Sequence, residues 1–131
     1  MKTTEDTKME FDELSRSVIG CAIEVHRNLG PGLLESTCRQ CLACELSHAG
    51  ILFQMEVSLP VRYKDILLDC GYRIDLLAPG ELIVEIKSVE ALLPIHQAQI
   101  LTCMRLANIP IGLLINFNVT RLQTGIKRFV L

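Results

Sequence analysis

Asp75, Glu85 and Lys87 are the residues whose types and spacing carry the most chemistry in this sequence. They fall in the stretch Tyr72 to Lys87, which reads as two strands joined by a tight turn at Pro79-Gly80. Side chains alternate across a strand, so Leu82, Val84 and Ile86 point to one face while Ile83, Glu85 and Lys87 point to the other. With Pro79-Gly80 as the turn, Asp75 stands on the neighbouring strand at the level of Glu85, close enough for the two carboxylates to share a cation. Hard oxygen ligands of this kind suit magnesium or manganese. A lysine beside them can orient an attacking water or offset charge building on a phosphate, while the ion activates the water. The plainer alternative is an exposed strand with an ordinary cross-strand ion pair. Arg73 shares the Asp75 face two residues earlier, where it meets either a phosphate or an acid.

The elements that must position these groups can be read from periodicity. From Phe11, the apolar positions Leu14, Val18, Cys21, Ala22, Val25 and Leu29 recur at helical spacing. His26 lies at the edge of that stripe, either packed and hydrogen-bonded in the core or, as the less simple reading, touching a phosphate. Gly30-Pro31-Gly32 breaks the chain, and Pro31 predicts the first residue of a second helix running to about His48 and closed by Gly50. On that helix Glu35, Cys38, Leu42, Leu46 and Ala49 share one stripe, which turns Glu35 inward. The alternative for Glu35 is a solvated first-turn acid favoured by the helix dipole.

After Gly50 the period changes to that of strands: Ile51–Val57, Leu59–Tyr63, Ile66–Leu77 and Glu81–Val89, punctuated by Pro60, Lys64-Asp65 and Pro79-Gly80. These predict a meander of three or four strands. Pro94 opens a third helix, Ile95–Ala107, whose expected inward stripe is Ile95, Gln99, Thr102, Cys103 and Leu106. Gln99 then faces the sheet, and a buried amide must find hydrogen bonds. Ile111–Phe117 is nearly all apolar, as in a central strand buried on both faces. Thr120–Leu131 predicts a short helix begun by Thr120, then a strand. The class is α/β, a mixed sheet flanked by helices, with a flexible tail over 1–10 and a single domain over 11–131.

Composition excludes several alternatives. The chain has 131 residues, 50% of them hydrophobic, with 13 basic against 15 acidic side chains and a net charge of -2. No polybasic run offers an electrostatic grip on nucleic acid or anionic lipid, so any such contact must be local. Asn108, Pro110 and Asn116 interrupt the longest apolar stretch before the about 18 to 20 residues a spanning helix needs, so no membrane insertion is expected. Met1 to Met9 is polar and shows no apolar signal core, so a cytoplasmic location is expected. Its 6 cysteines are then expected as reduced thiols. Cys38, Cys41, Cys44 and His48 suggest a thiolate metal site, but on one helix Cys38 and His48 stand about 15 Å apart along the axis. One zinc holds its ligands within about 2.3 Å, so ordinary helix packing is favoured. Neither Cys70 nor any histidine shows the local signature of a paired cysteine nucleophile. A mean hydropathy of +0.35 suggests a surface buried in a homodimer or partner complex.

The run from Ile19 to Glu35, with Gly32 three residues before Glu35 and Cys38 three after, closely resembles the opening of the GxxExxY proteins, a branch of the PD-(D/E)XK nuclease superfamily. The likeness extends over roughly Val18 to Arg128. The superfamily's acid on one strand and Glu-x-Lys on the next match Asp75, Glu85 and Lys87. The resemblance implies a restriction-endonuclease-like α-β-β-β-α-β core preceded by a helical hairpin. It also implies that Asp75, Glu85 and the Ile86 carbonyl bind magnesium, that Lys87 assists the water, and that Glu35 completes the acidic site. Gln99 matches the glutamine on the following helix in exonuclease-like branches. Three positions depart from the pattern: Cys38, Cys44 and Cys103 stand where tyrosines are usual. A thiol supplies neither the hydroxyl donor nor the ring, which bears on substrate contacts and on the placement of Glu35.

The expected activity is metal-dependent phosphodiester hydrolysis of nucleic acid, DNA in preference to RNA, with magnesium or manganese as cofactor. The alternative is a nuclease-fold protein retained as a binding or assembly module.

Overall fold

Asp12 starts the first helix by a mechanism its side chain dictates. Its carboxylate accepts the Ser15 backbone N–H at 3.0 Å and the Ser15 hydroxyl at 2.7 Å, satisfying a donor that the first turn leaves unpaired. Helix α1 (Glu13–Leu29) follows. The computed structural model describes residues 2–3 and 12–131. Of the tail expected over 1–10, Lys2–Thr3 form a two-residue strand, β1, and the remainder lies outside the described residues. Phe11, where the helical pattern was read to begin, also lies outside them.

The second helix, α2, runs Glu35–His48, one turn later than Pro31 predicted. The reason is the glycine pair flanking that proline: Gly30 and Gly32 adopt φ values of 73° and 91°, in the left-handed region that no helix tolerates. The chain instead crosses in an extended loop, held by a bond from the Gly32 N–H to Asn118 Oδ1 at 3.1 Å.

Three strands follow: β2 (Gln54–Tyr63), β3 (Ile66–Ala78) and β4 (Leu82–Lys87). Pro60 does not divide the first of them, because β2 is the edge of the sheet and a missing N–H there breaks no inner ladder; the register only shifts between Leu59 and Val61. The Pro79-Gly80 turn forms as expected, closed by Glu81 N–H to Ala78 C=O at 3.0 Å with Gly80 at φ 75°. Helix α3 (Pro94–Ala107) ends on Asn108 in the left-handed conformation, and β5 (Ile111–Asn116) comes next. The expected helix after Thr120 is a short 3-10 turn, Leu122–Gly125, leading into β6 (Ile126–Val130).

The sheet order is β1-β6-β5-β4-β3-β2, with β4 and β5 parallel and the other neighbours antiparallel. Strand β5 is interior, as its apolar run predicted. One face packs under α1 and α2 through Val18, Ala22, Cys38, Leu42, Leu76, Val84, Ile86 and Ile115. The other packs under α3 through Ile83, Ile100, Cys103, Met104, Leu114 and Phe129. This three-layer mixed sheet is the restriction-endonuclease-like architecture. No helix among the described residues is long and apolar enough to cross a membrane.

The stripe assigned to α3 needs correction. Its buried residues are Ile100, Cys103 and Met104, whereas Ile95 and Leu106 are exposed. Gln99 is exposed too, so its amide is not a buried group facing the core. The helix has apolar residues all around, and the face is chosen by Gly112 on β5, whose missing side chain leaves room for Ile100 and Met104.

Gly125 is needed for a different reason. A Cβ there meets the Asn116 carbonyl, which is backbone and cannot turn away, and the Val119 side chain at 3.2 Å. Gly125→Ala should therefore destabilise the protein by about 2 kcal/mol or more. Gly20→Ala, on the exposed face of α1 with open space around it, should stabilise by about 0.5–1 kcal/mol. Urea denaturation of the two variants measures both, and a neutral Gly125→Ala would contradict the packing described.

Candidate functional site

The pairing of β3 with β4 runs Ala78↔Leu82, Leu77↔Ile83, Leu76↔Val84 and then stops. At the next position Asp75 and Glu85 replace the backbone ladder with their side chains. The Ile86 N–H donates to Asp75 Oδ2 at 2.8 Å, and the Asp75 N–H donates to Glu85 Oε1 at 3.3 Å. Each acid thus takes a backbone donor from the opposite strand, and the strands part around two facing carboxylates. The Lys87 carbonyl is taken by the Phe117 N–H on the β5 side at 2.9 Å. Backbone direction alternates along a strand, so Ile86 turns its C=O, with its N–H, toward Asp75.

Glu35 is brought to this place from α2. It is half-buried, and its Oε2 accepts the Ser88 N–H at 3.2 Å, just past the end of β4. The Ser88 hydroxyl donates to the Leu33 carbonyl, which ties the start of α2 to the same turn. Asn116, buried at the end of β5, accepts the Val89 N–H at 3.1 Å and donates to the Val89 C=O at 2.9 Å. The loops at the carboxyl ends of β4 and β5 are therefore fixed by side-chain bonds.

Electrostatics mark the pair. Burial pushes the Glu85 carboxyl up to about 7, the negative charge of Asp75 adds to the rise, and the Asp75 N–H and Lys87 oppose it. Asp75 is also raised, by burial first, against the bond from Ile86 and the charges of Arg39 and Lys87. Lys87 is half-buried, and its charge acts on both acids.

Arg39 and Glu56 escaped the sequence reading. Arg39, four residues after Glu35 on α2, pairs through Nη1 with Asp75 Oδ1 at 3.3 Å and through Nη2 with Glu56 Oε2 at 3.0 Å. The i, i+4 spacing was the available signal for Arg39. Glu56 had none, since only the β2–β3 register, Met55↔Leu76 and Val57↔Ile74, sets it opposite Asp75.

Other candidates separate from this group. Arg73 is exposed and reaches Glu56 Oε1 at 3.7 Å. His26 shares a 2.7 Å hydrogen bond with the Val119 carbonyl through Nε2 and tilts against the Phe117 ring at 6.5 Å. Gln99 stands one turn before Cys103, on the rim of the α3 face. Cys103 is buried, and burial, then the charges of Glu85 and Asp75, pushes its thiol up to about 11. Cys38 is raised to about 11 as well, by burial, then Cys41 and Glu35. Cys38 and Cys103 thus flank the acids from α2 and α3, as neutral thiols at pH 7. Cys44 is exposed, with His48 Nδ1 3.8 Å from its sulfur. All 6 cysteines are free: Cys38 and Cys103 are buried, Cys21 and Cys41 half-buried, and Cys44 and Cys70 exposed. Among the described residues no three His, Cys, Asp or Glu side chains are gathered into a ready metal cage.

A mixed sheet between helices, with an acid and a Glu-x-Lys meeting where two strands part, defines a nuclease-type domain. A family model described as the PD-(D/E)XK nuclease superfamily matches residues 12–129, and the chain belongs to that superfamily. Neither a curated protein nor a solved structure matches it.

The raised Glu85 carboxyl has a stability consequence. Between its ordinary value of 4.5 and about 7 the folded state binds the proton that the unfolded chain has released. Its contribution is therefore present in full below about 4.5 and is lost as pH rises through about 7. In chelator, melting temperature should fall over that range, and Glu85→Gln should flatten the decline and melt higher than wild type at pH 8. Scanning calorimetry from pH 5 to 8 checks this; parallel wild-type and variant curves would refute it.

Proposed function

We propose that this protein is a metal-dependent nuclease of the GxxExxY branch that hydrolyses phosphodiester bonds in nucleic acid, DNA in preference to RNA, with 11–131 acting as one catalytic domain in the cytoplasm. The observation that carries the reading is the facing pair Asp75 and Glu85, half-buried, both raised, and bordered by Lys87. The donor set fits a hard divalent cation: two carboxylates, the Ile86 carbonyl directed to the same gap, and Glu35 at its edge. Magnesium or manganese held there supplies an activated water and offsets phosphate charge.

The chain's own groups divide the remaining work. Asp75, anchored by the Ile86 N–H, and Glu85, anchored to the Asp75 N–H, keep fixed oxygens pointed into the gap. Lys87 sets a positive charge where negative charge grows at phosphorus. To Arg73, exposed and paired with Glu56, we assign contact with a neighbouring phosphate, and to exposed Gln99 a contact with substrate.

Labelled single- and double-stranded DNA and RNA, incubated with magnesium, manganese or chelator, test this reading. Cleavage should require metal, favour DNA, and drop by about 100-fold or more in Lys87→Ala and Glu85→Ala. Wild-type protein that cuts nothing with either ion would overturn it.

A second reading, assembly, has its own support. The distal part of the β2–β3 hairpin stands in water on both faces, with Tyr63, Ile66 and Leu67 each about 60% exposed and Leu68 and Tyr72 near 40%. A two-stranded ribbon is marginal alone, and an apolar patch of this kind marks an interface. Arg62 and Lys64 against Asp65 and Asp69 let a second copy complement the first. Light scattering should show a dimer that Leu67→Asp converts to monomer; a strictly monomeric wild type would remove this reading.

A further inference from the structure

Arg39 is held in the acidic site in a way that a purely structural arginine is not. Its side chain is 17% exposed and lies one turn beyond Glu35 on α2. A guanidinium presents a planar fork that closes best on both oxygens of one carboxylate. Here the fork is split: Nη2 reaches Glu56 at 3.0 Å and Nη1 reaches Asp75 at the longer 3.3 Å. The Nε is buried with no acceptor among the described residues. The acid that receives the shorter contact is itself unusually placed. Glu56 lies within edge strand β2 with φ 50°, a left-handed value rare for a residue with a side chain, and stands across from Asp75. Its other cation among the described residues is Arg73, at 3.7 Å. Asp75 thus has one oxygen on the Ile86 N–H and the other on a loosely held guanidinium.

We propose that Arg39 is the resident cation of this site, neutralising Asp75 while no divalent ion is bound and resting on Glu56 alone once an ion takes Asp75. The inference rests on the metal-dependent reading above and adds to it a built-in competitor. A unit positive charge and a divalent ion cannot both sit on one carboxylate without strong repulsion. The guanidinium must therefore yield the Asp75 oxygen, and Glu56 is where it stays. Arg39 weakens divalent binding, and Glu56 strengthens it by drawing the fork away from Asp75.

Manganese titration by calorimetry, with melting curves in chelator, tests this in wild type, Arg39→Gln, Arg39→Lys, Glu56→Gln and the double variant Arg39→Gln/Glu56→Gln. Arg39→Gln should bind manganese about tenfold tighter and melt lower in chelator, where the acids lose their counter-charge. Glu56→Gln should bind more weakly than wild type. Arg39→Lys, which keeps the charge, should stay close to wild type and serves if Arg39→Gln fails to fold. In the double variant the Glu56 effect should largely vanish, because its route through Arg39 is gone; equal Glu56 effects in both backgrounds would mean a general field and overturn the proposal. Wild type that binds manganese alongside an Arg39→Gln variant of unchanged affinity overturns the Arg39 role alone. Manganese bound by neither protein overturns the metal-dependent reading, and the Arg39 role with it.

Discussion

Two carboxylates facing each other out of bulk water set the terms for the rest of this molecule. Asp75 and Glu85 are each raised by burial, and the charge of Asp75 adds to the rise at Glu85. Such a pair persists only if donors and cations are arranged around it. The surrounding backbone supplies the Ile86 and Asp75 N–H groups, and Lys87 and Arg39 supply positive charge. The break in the β3–β4 ladder follows from the same requirement, because a carboxylate that accepts a backbone N–H takes the place of a carbonyl on the partner strand. The strands remain paired on the turn side of the gap, from Leu76↔Val84 to Ala78↔Leu82.

The sheet puts that gap where an α/β fold is most open. Beyond the carboxyl ends of parallel neighbours the loops diverge, and ligands bind there. In this chain β4 and β5 are the parallel pair, and the loops after them are bound down by Asn116, Ser88 and Asn118. Glu35 arrives on the first turn of α2 because Gly30 and Gly32 delay the helix until that residue. A helix begun at Pro31 would have carried Glu35 into its second turn and away from the Ser88 N–H.

The cysteines at tyrosine positions read differently once placed. Cys38 and Cys103 are buried neutral thiols close to acids, so they add neither charge nor a nucleophile to the site. They border Glu35 on one side and Glu85 on the other as small, weakly polar groups.

Much of the architecture could be read from the sequence because it depends on local rules. Strand alternation put Glu85 and Lys87 on one face, the Pro79-Gly80 turn set Asp75 level with Glu85, and helical phase turned Glu35 inward. These need only the period of a strand or helix and the preferences of proline and glycine. Where two local signals competed, tertiary contacts decided. Gln99 was drawn into a stripe that Gly112 on β5 does not accommodate, so α3 rolled toward Ile100 and Met104 and left the amide at the surface. Pro60 lost its force as a breaker because β2 turned out to be an edge strand. Arg39 and Glu56 were beyond reach, since an ion pair between a helix and a strand has no sequence period. Its partners are chosen by the packing of α2 over the sheet and by the register of β2 on β3. The sequence by itself determined which acids and which lysine meet; only the tertiary structure decided which arginine stands among them.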